Sequence, residues 1–110
     1  QGDRPRALKL AEAAATRGAE ARFELLLTMF DTFLARLART GAAGSAPMPE
    51  AAQGEAELML RLSPNPQKAR DWANIAQEIS ERTRHGRAVN LDPAALVLDT
   101  VFKITETASR

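Results

Sequence analysis

Residues 88–104 read AVNLDPAALVLDTVFKI, and whether they form a strand or a helix decides the fold class. Val89, Val97, Thr100, Val101 and Ile104 are β-branched, a composition that suits a strand. Asp92-Pro93 argues the other way. A residue without an N–H is unwelcome inside a sheet, whereas Asp at the N-cap and Pro at the first helical position start a helix without losing a hydrogen bond. The run Ala94-Ala95-Leu96-Val97-Leu98 does not alternate, and the apolar pattern persists for about 16 residues, longer than a typical strand. Placed at about 100° per residue, Ala94, Ala95, Leu98, Val101, Phe102, Thr105 and Ala108 share a face. Val97 and Ile104 flank that face, with Asp99, Lys103, Glu106 and Thr107 on the other side. The stretch is therefore a helix, held by packing more than by propensity. Its apolar arc is close to ~180°, wider than a one-sided surface helix requires. Either several helices surround it, or part of the arc meets another chain.

Working outward, Asn65-Pro66 opens another helix in the same way, running to about Arg84, with a narrow stripe of Trp72, Ile75, Ala76, Ile79 and Thr83. Trp72 shares the spacing of its apolar neighbours and is read as a core residue. Ser63-Pro64 stops a shorter helix that begins at Glu50 or Glu55 and ends at Leu62. Residues 41–49, GAAGSAPMP, are read as a flexible loop.

The strongest periodicity lies before that loop, from Ala19 or Glu20 to Arg39. Phe23, Leu26, Leu27, Phe30, Phe33, Leu34 and Leu37 fall on one face, while Leu25 and Met29 lie beyond its edge. A first helix is expected over Pro5–Ala15, capped by Asp3 and broken at Thr16-Arg17-Gly18. The sum is an all-α bundle of about five helices in a single domain spanning 1–110. The chain starts without a Met and is expected to continue something longer.

Composition narrows the function. There is no Cys, which excludes disulfides and thiolate zinc sites. No apolar run approaches the ~18 residues of a membrane span, so no membrane partner is expected and a cytoplasmic location is. The net charge of +1 is spread evenly, at +2 over 1–40, −2 over 41–62 and +1 over 63–110. No segment carries the basic excess of a domain that works by neutralising phosphates. Arg outnumbers Lys 12 to 3, read as a base-composition effect.

The lone His85 sits in RTRHGR, Arg82 to Arg87, without a nucleophile or carboxylate at a defined spacing. Cations at a helix C-terminus are favoured by the macrodipole. A weak phosphate contact through Arg82, Arg84, His85 and Arg87 is the alternative, and the run lacks aromatic residues for base stacking. No phosphate-binding glycine motif is present, and no cofactor or metal site is expected.

Three stretches carry a family resemblance. RGAEARFELLLTMFDTFLARLARTGAAG (Arg17 to Gly44) resembles the long amphipathic helix of the C-terminal domain of the delta-prime subunit of bacterial DNA polymerase III, a clamp-loader subunit. GEAELMLRLS (Gly54 to Ser63) matches in position. DWANIAQEISERTRHGRAVNLDPAALVLDTVFKITETA (Asp71 to Ala108) is similar to that family's ending, a Trp-initiated helix followed by an Asn-Leu-Asp turn and a last helix of VLDAFL type. Pro93 and Ala94 depart from the family's usual Arg-Lys. The resemblance implies an all-α collar domain, with ATPase-like modules upstream and gamma/tau and delta type subunits as partners. It implies assembly rather than catalysis, the DNA-directed DNA polymerase (nucleotidyltransferase) activity belonging to the holoenzyme in DNA replication. The candidate subunit-contact residues are Leu25, Met29, Leu96, Val97 and Ile104. DNA contact by this domain is not expected.

Overall fold

A computed structural model of the chain describes residues 3–50 and 52–110, with the side chains of 3–5, 14 and 15 outside the description. The expected cap at Asp3 and the first-turn Pro5 fall among those side chains. Every regular element described is an α-helix: α1 (Asp3–Ala43), α2 (Glu55–Leu62), α3 (Pro66–Ala88) and α4 (Pro93–Ser109). The fold class is all-α, as the sequence indicates, with four helices rather than five.

The difference lies at Gly18. A helix break was expected there, yet α1 runs through it as one helix of 41 residues. A glycine inside a helix costs only about 1 kcal/mol relative to Ala, and the Ala-rich, periodic segments on both sides outweigh that. The true end comes at Gly44, whose positive φ of 77° closes the helix while its N–H donates to the Thr40 carbonyl at 2.8 Å. Residues 41–43, expected in the loop, are the last turn of α1.

The chain divides into two compact units, residues 1–30 and 31–110. The described part of the first is the N-terminal portion of α1. Among its described side chains only Phe23 is buried, whereas Leu8, Leu10, Leu25, Leu26 and Met29 are exposed.

The second unit holds the core, built from Leu34 and Leu37 of α1, Met59 of α2, and Trp72, Ile75 and Ile79 of α3. Trp72 is fully buried, and its indole N–H donates to the Leu62 carbonyl at 3.0 Å. That single bond makes the large ring affordable in an apolar interior. Ser63 Oγ, also buried, donates to the Leu37 carbonyl at 2.6 Å and ties the turn after α2 to α1.

Gly41 sits at this junction. A Cβ there would lie 2.5 Å from Ser63 Oγ, 2.6 Å from the Asn65 carbonyl and 2.8 Å from Ala69 Cβ. Its role is close approach, not chain reversal. The Arg36 guanidinium, half-buried, pairs with Glu55 (Nε–Oε1 2.7 Å) and donates to the carbonyls of Pro47 and Pro49, fastening the 44–54 connection to α1.

Asn65 caps α3 by accepting from the Lys68 N–H at 2.8 Å, and Asp92 caps α4 by accepting from the Ala94 N–H at 3.2 Å. Both helices place Pro at their start, as expected. α3 continues one turn past Arg84, through Gly86, because the terminator is Asn90. Its φ of 60° lets the Asn90 N–H reach the Arg87 carbonyl and the Leu91 N–H reach the Gly86 carbonyl. This pair of bonds satisfies two terminal carbonyls and turns the chain into α4.

Candidate functional site

The surface with most to offer lies along α3 and α4 in the second unit. α4 buries Leu96, Thr100 and Thr107, and half-buries Val97, Ile104 and Ala108. The two buried hydroxyls donate to carbonyls of their own helix, Thr100 to Leu96 and Thr107 to Lys103, each at 2.9 Å. A threonine back-bonded in this way presents only its methyl to the neighbouring helix.

The sequence left the wide apolar arc of α4 to meet either neighbouring helices or another chain; within it Leu98, Val101 and Phe102 lie outward, with Leu98 69% and Phe102 71% exposed. Among the expected contact residues, Leu96 is buried, and Ile104 packs against the core from its edge. Val97 is half-buried beside them. Only Leu25 and Met29, 60% and 57% exposed, lie as open as a contact site requires; they belong to the first unit. The sequence signal that would have found the outward face is the spacing of Thr100 and Thr107 with Leu96, at i, i+4 and i+11. Counting threonine as buriable makes that row the inner one.

Beside the outward face runs a groove of about 480 Å³ between the second half of α3 and the start of α4. Leu91, Ala95 and Leu96 supply its apolar lining, and Glu81, Arg82, His85 and Asp99 its polar one. Arg82 Nη1 donates to both Asp99 carboxylate oxygens at 2.9 Å. Lys103 Nζ donates to Glu78 at 2.8 Å, and Arg82 Nε stands 4.0 Å from the same carboxylate.

The Lys103 ammonium, by hydrogen bond and by charge, holds the Glu78 carboxyl below its ordinary range, with Arg82 adding in the same direction. Asp99, placed by the sequence on the side of α4 away from its apolar arc, is salt-paired with Arg82. Of the expected phosphate-contact residues, Arg82 is engaged by Asp99, and His85 lines the groove. Arg84 and Arg87 are exposed on the same helix end. The four do not form one cluster of uncommitted cations, since Arg82 is held across the groove.

Among the described residues no group of three or more His, Asp or Glu is placed to hold a metal ion, and no helix is long and apolar enough to cross a membrane. No protein-family model matches the chain, and neither does a curated protein or a solved structure.

Proposed function

We propose that this chain is an assembly domain whose contact surface is the outward face of α4, Leu98, Val101 and Phe102. The exposure of these three side chains carries the reading. They occupy one helix face at i, i+3 and i+4, the spacing with which one helix packs on another. Contiguous apolar surface of this kind marks interaction sites more often than single exposed residues do. Leu25 and Met29 of the first unit offer a second apolar edge.

The finer reading is the collar of a bacterial clamp loader, in the delta-prime subunit, with gamma/tau and delta type subunits as partners. Its support is the wording of Arg17 to Gly44 and Asp71 to Ala108. In that role the domain is not an enzyme and needs no cofactor of its own. It holds its subunit in the ring while neighbouring modules do the chemistry.

Size-exclusion chromatography with purified gamma/tau and delta subunits tests both levels. The chain should co-elute with them, and Leu98→Asp with Phe102→Asp should abolish co-elution while leaving the helical circular dichroism intact. A full-length delta-prime that lacked this domain and still joined the complex normally would end the clamp-loader reading.

A further inference from the structure

We infer that α4 is a separately releasable helix, clamped to α3 by surface ion pairs, which can leave the core without unfolding it. The inference stands apart from the assembly reading, because its test needs no partner.

Four features of the second unit carry it. First, the large apolar side chains buried to completion, Leu34, Leu37, Met59 and Trp72, come from α1, α2 and α3, whereas α4 contributes the smaller, polar Thr107. The contribution of α4 to that core is the half-buried Ile104 and Ala108 at its edge. Second, the α3 and α4 backbones approach closely because the buried positions there are small or polar: Thr83 and Gly86 on α3, Thr100 and Thr107 on α4. Close approach through small residues buries little apolar area, and hydrophobic attachment scales with that area. The largest buried apolar side chain of α4 is Leu96, seated over Gly86, where a Cβ would come within 2.6 Å of its Cδ2.

Third, the buried Thr100 and Thr107 hydroxyls are satisfied inside α4, so they lose no partner if the helix departs. Fourth, the remaining ties are charged: Arg82 to Asp99, both about half exposed, Lys103, itself mostly covered, to the exposed Glu78, and Lys68 Nζ to the Thr107 and Arg110 carbonyls at 2.6 and 3.2 Å. Pairs of this kind are weak singly and are screened by salt. Leu98, Val101 and Phe102 are exposed whether the helix is docked or released, so these three side chains add nothing to the cost of release. An element with few buried apolar contacts and partly exposed ties is the one that opens below the global unfolding free energy.

Hydrogen exchange read by mass spectrometry on the whole chain tests this. It would compare about 20 mM with about 500 mM sodium chloride, which shortens the Debye length from ~20 Å to ~4 Å. Amides between Leu96 and Thr107 should exchange roughly tenfold faster at the higher salt, while those between Ala69 and Ile79 hold their rate. Asp99→Asn combined with Lys103→Met should reproduce the acceleration at low salt and remove most of its salt dependence. Gly86→Ala, which displaces Leu96, should accelerate the same α4 amides selectively. Equal acceleration of both sets would overturn the inference, since the unit would then open as one body. So would α4 rates indifferent to salt and to the double substitution.

Discussion

The two portions of α1 carry similar apolar periodicity and meet different fates. Between residues 31 and 43, Leu34 and Leu37 vanish into a core with Trp72, while before residue 30 Phe23 is buried but Leu8, Leu10 and Leu26 face water. The helix itself is continuous across both. Periodicity thus specifies a helix and a face that is able to be buried, but burial needs a partner element, and the second unit supplies three. Helical structure in the first unit rests on propensity and length, and a segment of this length is well past the ~12–15 residues at which an Ala-rich helix becomes marginal in water.

The sharpest way to break this contrast is Trp72→Ala against Leu10→Ala. The first empties the centre of the core and should lower the unfolding free energy of the second unit by about 3–5 kcal/mol. Against a total of roughly 5–15 kcal/mol, that leaves the unit close to unfolding. The second, on an exposed side chain, should change stability by about 0.5 kcal/mol or less. Urea denaturation followed by circular dichroism and, for the Leu10 variant, by Trp72 fluorescence reads both. A large effect of Leu10→Ala would mean that the first unit has a core of its own.

Two glycines of the same helix sharpen the point. Gly41→Ala drives a methyl into Ser63, Asn65 and Ala69 and should destabilise by about 1–3 kcal/mol. Gly18→Ala meets nothing nearer than the end of Arg22 at 3.6 Å and should stabilise the helix by about 0.5–1 kcal/mol. Opposite signs from one chemical change, measured by thermal melting, separate a packing glycine from a merely tolerated one. Of similar size is Asn65→Ala, which removes the α3 cap and should cost about 1 kcal/mol.

The smallest effect is acidic. Because Glu78 is held below its ordinary range in the folded chain, its contribution is present above the unfolded carboxyl pKa of 4.5. It is lost as the pH falls through the lower folded value. Melting temperatures of the wild-type chain and Glu78→Gln should therefore differ most near neutrality and converge on the acid side of 4.5. A gap that persisted into strong acid would mean that the Lys103 contact contributes through packing instead of charge.

Much of this fold was legible from local signals. Asn65-Pro66 and Asp92-Pro93 start α3 and α4 where the sequence places them, because capping depends on a few adjacent atoms. Trp72 was identifiable as core from its spacing with Ile75 and Ile79. Helix ends were less legible: Gly18 was read as a break and Gly41 as the start of a loop, yet both lie inside α1, and α3 runs past Arg84 through Gly86. The terminators are instead Gly44 and Asn90, whose positive φ values no composition rule singles out. The contact surface was the least legible. Leu96 and Phe102 are both large and apolar, and only the packed partner decides which one faces inward.

Local signals are enough to make this chain helical, to set where α3 and α4 begin, and to choose the residues at its centre. Those properties follow from capping chemistry and from apolar periodicity, both of which act within a few residues. Tertiary packing made Gly41 and Gly86 contact points and turned Leu98 and Phe102 of α4 outward. Each of these depends on atoms brought together from distant parts of the chain. Thr100 and Thr107 turn inward beside Leu96 with their hydroxyls satisfied within α4, and Leu98 and Phe102 are left facing water.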